Sequence, residues 1–293
     1  MNAIEVENLN IDFGNFKIEN LNLTVRKGAI TGLIGANGAG KTTLIKAIMR
    51  AQNAQSGKIL YCGKSFAGNE TEIFSSVACV FDGVKFAITV KPKRLVKLYK
   101  SIYQSFDEQK FLSLAQKFSL PLDLRVSKYS FGMQKKLSFI LALCQGADTL
   151  ILDEPTSGVD PFDRNELTSL IQEFMMDENH AVLFSTHVTE DLDKIADYIV
   201  MMDNGKIVLD KDKESLTESY RLVRAAELTP ELEACAIGVV KDMFGYTFIT
   251  QNTELSGEGL QTKVPTVEEL FVHLVSQRKS GGDGNSSQSI FGI

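Results

Sequence analysis

One stretch of the chain combines glycines, a lysine and adjacent threonines at a spacing that suits the binding of phosphate groups. The glycines allow the backbone to curl with its N–H groups pointing inward, since they tolerate dihedral angles that other residues avoid. Those amides would hold the phosphates of a nucleotide, while the Lys41 ammonium reaches the outer phosphates and the Thr42 hydroxyl holds Mg2+. The stretch follows the pattern G-x-x-x-x-G-K-[ST], and its residues are Gly35, Ala36, Asn37, Gly38, Ala39, Gly40, Lys41, Thr42 and Thr43.

The residues on either side of this loop supply the elements that the pattern requires. Residues 29–34 form an apolar run typical of a buried strand, and residues 41–50 form a run compatible with a helix. Because the loop lies between a strand and a helix, its amides and the positive end of the helix would face the same ligand. We therefore predict a site for a nucleoside triphosphate.

A pair of acids follows a second apolar run, at residues 149–152. This run is typical of a buried parallel strand, so Asp153 and Glu154 would lie at its carboxyl end. Asp153 would be directed toward Mg2+, and the neighbouring Glu154 would polarise an attacking water. Acids at the end of a strand carry little weight alone, but behind a phosphate loop they indicate hydrolysis of a phosphoanhydride.

The elements around these residues indicate an α/β fold. Strands alternate with helical runs up to residue 209, which is typical of a mostly parallel sheet with right-handed crossovers. Residues 4–13 and 16–25 are predicted as an antiparallel strand pair ahead of the loop. Residues 86–145 are predicted as a helical subdomain.

The pattern changes after residue 215, so we predict three segments. Residues 1–215 would form the nucleotide-binding domain, residues 216–280 a small α+β appendage, and residues 281–293 a flexible tail rich in glycine and serine. Within the appendage we predict a single strand over residues 239–250. Thr266 and Glu269 have the spacing of a capping box that opens the last helix.

The composition limits the classes of partner. The net charge of −6 gives no broad basic surface, so we expect no nucleic acid. No apolar run approaches the length of a membrane helix, about 20 residues, and the first residues do not resemble a signal peptide. If the chain serves a membrane process, a separate chain must supply the membrane part. The four cysteines are widely spaced and indicate reduced thiols rather than a metal site.

Further motifs lie in order along roughly residues 1–215, and together they resemble the ATP-binding subunit of ABC transporters. The run at residues 150–155 resembles the Walker B motif, residues 129–136 resemble the ABC signature, residues 157–160 resemble the D-loop, and residues 185–187 resemble the switch segment. The resemblance implies a P-loop NTPase core of the ABC ATPase type, with an antiparallel β subdomain and the helical subdomain.

The resemblance also implies roles for individual residues. Ser130 and the Gly132 N–H would contact the γ-phosphate held by the opposite subunit, and Asp160 would belong to the loop that crosses the dimer interface. His187 would sense the γ-phosphate. The signature departs from the family pattern, because Phe131 replaces a glycine and Met133 replaces a glutamine.

Two further positions are assigned through the resemblance. Phe13 stands where members of the family place an aromatic that stacks on adenine, although Phe16 is a rival for that role. Asp82 stands where the family has a glutamine, after the strand predicted at residues 77–81. A carboxylate there could accept a hydrogen bond from a metal-bound water, or hold Mg2+ through a water. This aspartate and the variant signature are similar to ATPase subunits of Gram-positive-type exporters of peptides or antimicrobials.

As a member of this family, the chain would bind ATP and Mg2+ and hydrolyse ATP. It would pair with a second ATP-binding subunit, identical or different, and with separate transmembrane permease subunits at the cytoplasmic face of the membrane. The alternative is a soluble ABC-type mechanical ATPase of DNA repair or translation. A repair ATPase would need a long coiled coil between the loop and the signature, and a translation factor would need two cassettes.

Overall fold

The structure, a computed structural model, describes residues 1–83, 90–257 and 259–280. The chain divides into two compact units, Met1–Asp210 and a second unit that begins at Lys211. The predicted tail at residues 281–293 lies outside the described residues, as does the start of the predicted helical subdomain near residue 86. The domain boundary drawn at residue 215 stays a prediction.

The first unit alternates strands and helices along the chain. They are β1 (Asn2–Asp12), β2 (Lys17–Arg26), β3 (Ile30–Ile34), α1 (Lys41–Ile48), β4 (Ser56–Tyr61), β5 (Lys64–Ser65), α2 (Glu70–Ser76), β6 (Val77–Val80), α3 (Pro92–Ile102), α4 (Glu108–Lys117), α5 (Phe131–Leu143), β7 (Thr149–Asp153), α6 (Pro161–Phe174), β8 (Ala181–Thr186), α7 (Thr189–Ile195), β9 (Tyr198–Asp203) and β10 (Lys206–Asp212).

The elements after β10 belong to the second unit. They are α8 (Lys213–Ser219), β11 (Arg221–Ala225), α9 (Pro230–Cys235), β12 (Ile237–Asp242), β13 (Gly245–Thr250), β14 (Gln261–Lys263) and α10 (Val267–Ser280).

A six-stranded sheet in the order β10-β9-β3-β8-β7-β6 organises the first unit. The neighbours from β9 to β6 run parallel. All residues of β3, β7 and β8 are buried, as expected for strands covered on both faces. The predicted parallel α/β core is confirmed. Because parallel strands end at the same edge, the segments after these three strands are brought together.

A second sheet, in the order β2-β1-β4-β5, covers one side of the first unit. Its strands pair antiparallel, so the predicted antiparallel β subdomain is confirmed. The turn between β1 and β2 is closed by a bond from the Phe13 N–H to the Phe16 carbonyl oxygen, 2.9 Å long. Gly14 has a φ of 78° and its N–H donates to Asp12 Oδ1.

The helical part of the first unit consists of α3 and α4 packed against α5. Pro92 occupies the first turn of α3, where its missing N–H removes no hydrogen bond from the helix. The Asp107 carboxylate accepts from the Lys110 N–H and caps α4. The Ser130 hydroxyl oxygen accepts from the Met133 N–H and caps α5. No helix among the described residues combines the length and the hydrophobicity needed to cross a bilayer.

The second unit contains an antiparallel sheet in the order β12-β13-β11-β14, and α10 packs on β12 and β13. The predicted single strand at residues 239–250 is wrong, since β12 and β13 form a hairpin there. Asp242 Oδ1 accepts from the Phe244 N–H at 2.7 Å, and Gly245 has a φ of 130°. These two residues are turn formers, and they interrupt an otherwise apolar run.

The predicted capping box at the start of α10 is confirmed. The Thr266 N–H donates to Glu269 Oε2 at 2.9 Å, and the Glu269 N–H donates to Thr266 Oγ1 at 3.2 Å.

We expect Thr266→Ala to lower the free energy of unfolding of the second unit by about 1 kcal/mol, because the Glu269 N–H loses its acceptor. Urea unfolding followed by circular dichroism measures this. Thr253→Ala, at an exposed turn, is the control, and equal stability of the two variants would contradict the prediction.

Candidate active site

The phosphate loop between β3 and α1 has a backbone that favours glycine at several positions. Gly38 and Gly40 have φ of 85° and 110°, a region that residues with side chains disfavour. A side chain at Gly35 would clash with the Met202 carbonyl oxygen. The first amides of α1 have no partner within the helix. The loop is therefore a tight curl that leads into a helix terminus able to hold an anion.

A cavity of about 420 Å3 opens over this loop. Residues 36–43 of the loop line it, together with Phe16, Asp82 and Glu154. The structure thus brings together the loop, the acid that follows β7 and the aspartate that follows β6. The other predicted site residues are not part of this lining: Phe13, Gly35, Ser130, Gly132, Asp153, Asp160 and His187.

The ammonium of Lys41 is held at the base of the loop. Lys41 Nζ donates to the Gly35 carbonyl oxygen at 2.7 Å and lies 3.8 Å from Glu154 Oε1. The residue is buried. An ammonium that is shielded from water interacts strongly with any anion in the cavity.

Asp153 is fully buried at the end of β7 and accepts two hydroxyl bonds. Thr42 Oγ1 donates to Asp153 Oδ2 at 2.8 Å, and Ser185 Oγ donates to Asp153 Oδ1 at 2.7 Å. Ser185 was not predicted as a partner of Asp153. The register of β7 on β8 places the two residues side by side. Aligning the carboxyl ends of the two predicted strands would have predicted this contact.

Glu154 has an unusual backbone and a well-held carboxylate. Its φ is +50°, which is strained for a residue with a side chain. The Glu154 N–H donates to the Ser185 carbonyl oxygen at 2.9 Å. His187 Nδ1 lies 2.6 Å from Glu154 Oε2, and the His187 N–H donates to the same oxygen at 3.3 Å. The two predicted catalytic residues are thus in direct contact, and Glu154 lines the cavity.

Asp82 lines the cavity, but its carboxylate already has a partner. Asp82 Oδ1 lies 3.0 Å from Lys135 Nζ, on a buried side chain of α5. Lys135 was not predicted as a functional residue, because a lysine on a predicted helix carries no functional signal of its own.

The signature residues lie at the start of α5 and beside the segment 157–160. The Phe131 ring is exposed and packs near Gly158. A Cβ atom added at Gly158 would lie 3.0 Å from this ring. The Ser130 hydroxyl oxygen accepts from its own helix, which leaves its hydrogen available for donation. Ser130 and Gly132 are thus displayed on a helix terminus apart from the cavity over the phosphate loop of the same chain.

Asp160 caps α6 in this structure. Its Oδ1 accepts from the Phe162 and Asp163 N–H groups, both at 3.1 Å. Hydrogen bonding, first from the Asp163 N–H, holds the pKa of Asp160 below its usual range. The carboxylate is therefore ionised at neutral pH and directed at its own helix.

The two candidate aromatics have different surroundings at the turn between β1 and β2. Phe16 lies against the loop, with its Cζ 2.6 Å from the position that a side chain at Gly40 would occupy. Phe13 is 49% exposed. Phe13 is the more exposed ring, whereas Phe16 is partly buried and is the one of the two that lines the cavity over the loop.

Comparisons with known proteins show a family that this chain is similar to. Residues 18–157 match the protein family described as "ABC transporter". The lantibiotic transport ATP-binding protein SrtF of Streptococcus pyogenes is 30% identical over 235 residues, which cover 74% of this chain and 95% of that protein. The bacitracin transport ATP-binding protein BcrA of Bacillus licheniformis is 26% identical over 222 residues, covering 75% of this chain and 72% of that protein.

A solved structure of an ATP-binding subunit of an ABC transporter has the same fold. It superimposes with a TM-score of 0.67 at 24% sequence identity, and the match covers 73% of this chain and 91% of the solved chain.

Proposed function

Because this chain belongs to the family of ATP-binding subunits of ABC transporters, which hydrolyse ATP to power transport, we propose that it acts by closing over ATP with a second ATP-binding subunit. The observation that carries the proposal is that Lys41, Thr42 and Glu154 line one cavity above the phosphate loop, while Asp153 accepts a 2.8 Å hydrogen bond from the Thr42 hydroxyl. Lys41 would neutralise phosphate charge and Glu154 would position a water, two functions that phosphoryl transfer requires.

The residues around Asp153 fit Mg2+. Carboxylate and hydroxyl oxygens are the ligands that this ion takes, and it is usually held by one or two carboxylates together with the phosphates of the substrate. The described residues contain no cluster of three or more acidic, histidine or cysteine side chains that would hold a metal without a substrate. Thr42 and Asp153 would hold the ion, with Asp82 as a further candidate. Once bound, Mg2+ would neutralise charge on the phosphates.

Glu154 is proposed as the general base. Glu154 lines the cavity, and its carboxylate would accept a proton from the water that attacks the γ-phosphate. His187 holds one oxygen of that carboxylate, 2.6 Å from its Nδ1, and would respond to the γ-phosphate beside it. Lys41 would exchange its bond with Gly35 for phosphate oxygens.

The position of the signature residues supports a shared site. Ser130 and Gly132 do not line the cavity of their own chain, yet they are presented at a helix N-terminus, where amides bind anions. We propose that they contact the γ-phosphate in the second subunit, with the segment around Asp160 at the interface. ATP would then join two subunits, and hydrolysis would release them.

Phe13 is proposed to stack on the adenine, and Phe16, which lines the cavity over the loop, is the rival for that role. We expect Phe13→Ala to weaken ATP binding about 5- to 10-fold, because stacking on an aromatic contributes about 1 kcal/mol or more per base. The affinity for inorganic triphosphate should not change, since it has no base. Calorimetric titration of both ligands tests this. Loss of affinity for both ligands alike would contradict the stacking role.

The cargo and the direction of transport are proposed from the relatives alone. The names of SrtF and BcrA refer to lantibiotic and bacitracin transport, so we propose export of a peptide or antimicrobial. The chain would lie at the cytoplasmic face of the membrane, held there by permease subunits. The relatives are transport proteins, which argues against a soluble mechanical ATPase.

Purification of the tagged chain from detergent-solubilised membranes tests this proposal. We expect a polytopic membrane protein to co-purify in a stoichiometric amount, identified by mass spectrometry. Recovery with ribosomes or DNA, and without a membrane protein, would contradict the proposed transport role.

A further inference from the structure

Lys135 is a buried lysine on α5 that contacts three acceptors. Its Nζ lies 2.6 Å from the Glu154 carbonyl oxygen, 2.7 Å from the Ser157 carbonyl oxygen and 3.0 Å from Asp82 Oδ1. An ammonium has three N–H donors and no acceptor, so each donor has one partner. The side chain is 9% exposed, and weak competition from water strengthens each of these bonds.

The three acceptors belong to different segments of the first unit. Glu154 directly follows β7, Ser157 lies between β7 and α6, and Asp82 follows β6. Lys135 itself lies on α5, the helix that begins beside the signature residues. One positive charge therefore connects the signature helix with the ends of two neighbouring strands.

Glu154 depends on its backbone contacts more than an ordinary residue does. Its φ of +50° is unfavourable for a residue with a side chain, and such a conformation persists only where the surroundings enforce it. The Ser185 carbonyl oxygen binds the Glu154 N–H, and Lys135 binds the Glu154 carbonyl oxygen. Both peptide groups that flank Glu154 are thus hydrogen-bonded. Their orientation sets the direction of the Cα–Cβ bond and so directs the carboxylate.

Asp82 is the accessible member of this cluster. Its side chain is 47% exposed, and it lines the cavity over the phosphate loop. A displacement of Asp82 would leave the buried ammonium with two neutral acceptors and one donor without a partner. Because an unpaired buried donor is costly, Lys135 would then shift, and the carbonyl of Glu154 would lose its hydrogen bond.

We propose, on the basis of the role assigned to Glu154, that Lys135 is a positioning residue for hydrolysis, which transmits the position of Asp82 to Glu154. Lys135 does not line the cavity over the phosphate loop, so it contributes to the orientation of the base and not to the binding of ATP. The role of Asp82 is then to hold the Lys135 ammonium in place, which depends on the negative charge of its carboxylate.

Kinetics of the purified full chain test the proposal. We expect Lys135→Met to lower kcat about 10- to 100-fold, as a small misplacement of a catalytic group does, while the KM for ATP stays unchanged. Lys135→Arg should recover part of kcat, since it keeps the charge but has a planar donor group. Lys117→Met, which removes a surface ion pair with Glu166, is the control and should match the wild type.

A double-mutant cycle tests the connection to Asp82. Asp82→Ala should lower kcat in the wild-type background and have little further effect in the Lys135→Met background, because the same contact is already lost. Independent, multiplicative effects on kcat would overturn the coupling. Thermal unfolding shows whether Lys135→Met folds. If it does not fold, the coupling is tested with Asp82→Ala alone and in the Lys135→Arg background.

The outcomes separate this proposal from the role of Glu154. Wild-type kcat in Lys135→Met, together with an inactive Glu154→Gln, would overturn the role of Lys135 alone. A parallel rise of KM and fall of kcat/KM with kcat unchanged would also overturn it, because that result indicates lost binding. An active Glu154→Gln would remove the base itself.

Discussion

Glu154→Gln is expected to lower the turnover of ATP at least about 100-fold, because general bases contribute about 10²- to 10⁴-fold to such reactions. ATP binding should persist. The amide has the same shape as the carboxylate, and the bonds that hold its backbone do not change. Steady-state phosphate release measures the first effect, and fluorescence titration with a labelled ATP analogue measures the second.

Glu166→Gln is the matched control, since Glu166 forms a surface ion pair with Lys117. It should hydrolyse ATP at the wild-type rate. Substantial steady-state hydrolysis by Glu154→Gln would show that another group accepts the proton.

Lys41→Ala is expected to weaken ATP binding about 10- to 100-fold, because a hydrogen bond to a charged group is worth about 1.5 to 3 kcal/mol and 1.4 kcal/mol is a factor of ten. The ammonium is buried at the base of the loop, 2.7 Å from the Gly35 carbonyl oxygen. Isothermal titration of the variant with ATP measures the effect.

Lys46→Ala is the control for this variant, since Lys46 is an exposed lysine on the same helix. Its affinity for ATP should equal that of the wild type. If Lys41→Ala bound ATP as tightly as Lys46→Ala, the assignment of the phosphate loop would be wrong.

The architecture of the first unit could be predicted from the sequence, because the patterns that indicate its strands are local. Apolar runs such as those that end at Ile34 and Leu152 identify buried parallel strands, and such strands bring their carboxyl ends to one edge. The loop after Ile34, the acids after β7 and the histidine after β8 were therefore expected to lie near one another.

Other features depend on contacts that a sequence does not display. Lys135 on α5 is one helical lysine among several until the fold places its ammonium beside Glu154 and Asp82. The left-handed backbone of Glu154 has no sequence signal, because glutamate rarely adopts it. The short helices α2 and α8 were missed, because each buries only one residue, Ile73 or Leu216, and so shows no apolar period.

The hairpin of β12 and β13 was missed for a related reason. Its apolar residues continue on both sides of a tight turn, so the run was interpreted as one strand. Asp242 and Gly245 are the turn signal, and they were outweighed by the apolar residues around them.

The proposed roles of two helix termini would make one subunit an incomplete enzyme. The start of α1 would hold the phosphates, while the start of α5, with Ser130 and Gly132, lies apart from the cavity over the phosphate loop. A second subunit would bring its own α5 to the γ-phosphate. Variants that bind ATP and do not hydrolyse it should therefore accumulate in the closed, paired form.

The mass of Glu154→Gln in solution, measured by light scattering with and without ATP and Mg2+, tests this shared site most directly. The proposed mechanism predicts a single chain without nucleotide and a pair of chains with saturating ATP and Mg2+. A single chain under both conditions, with ATP shown to be bound, would contradict it.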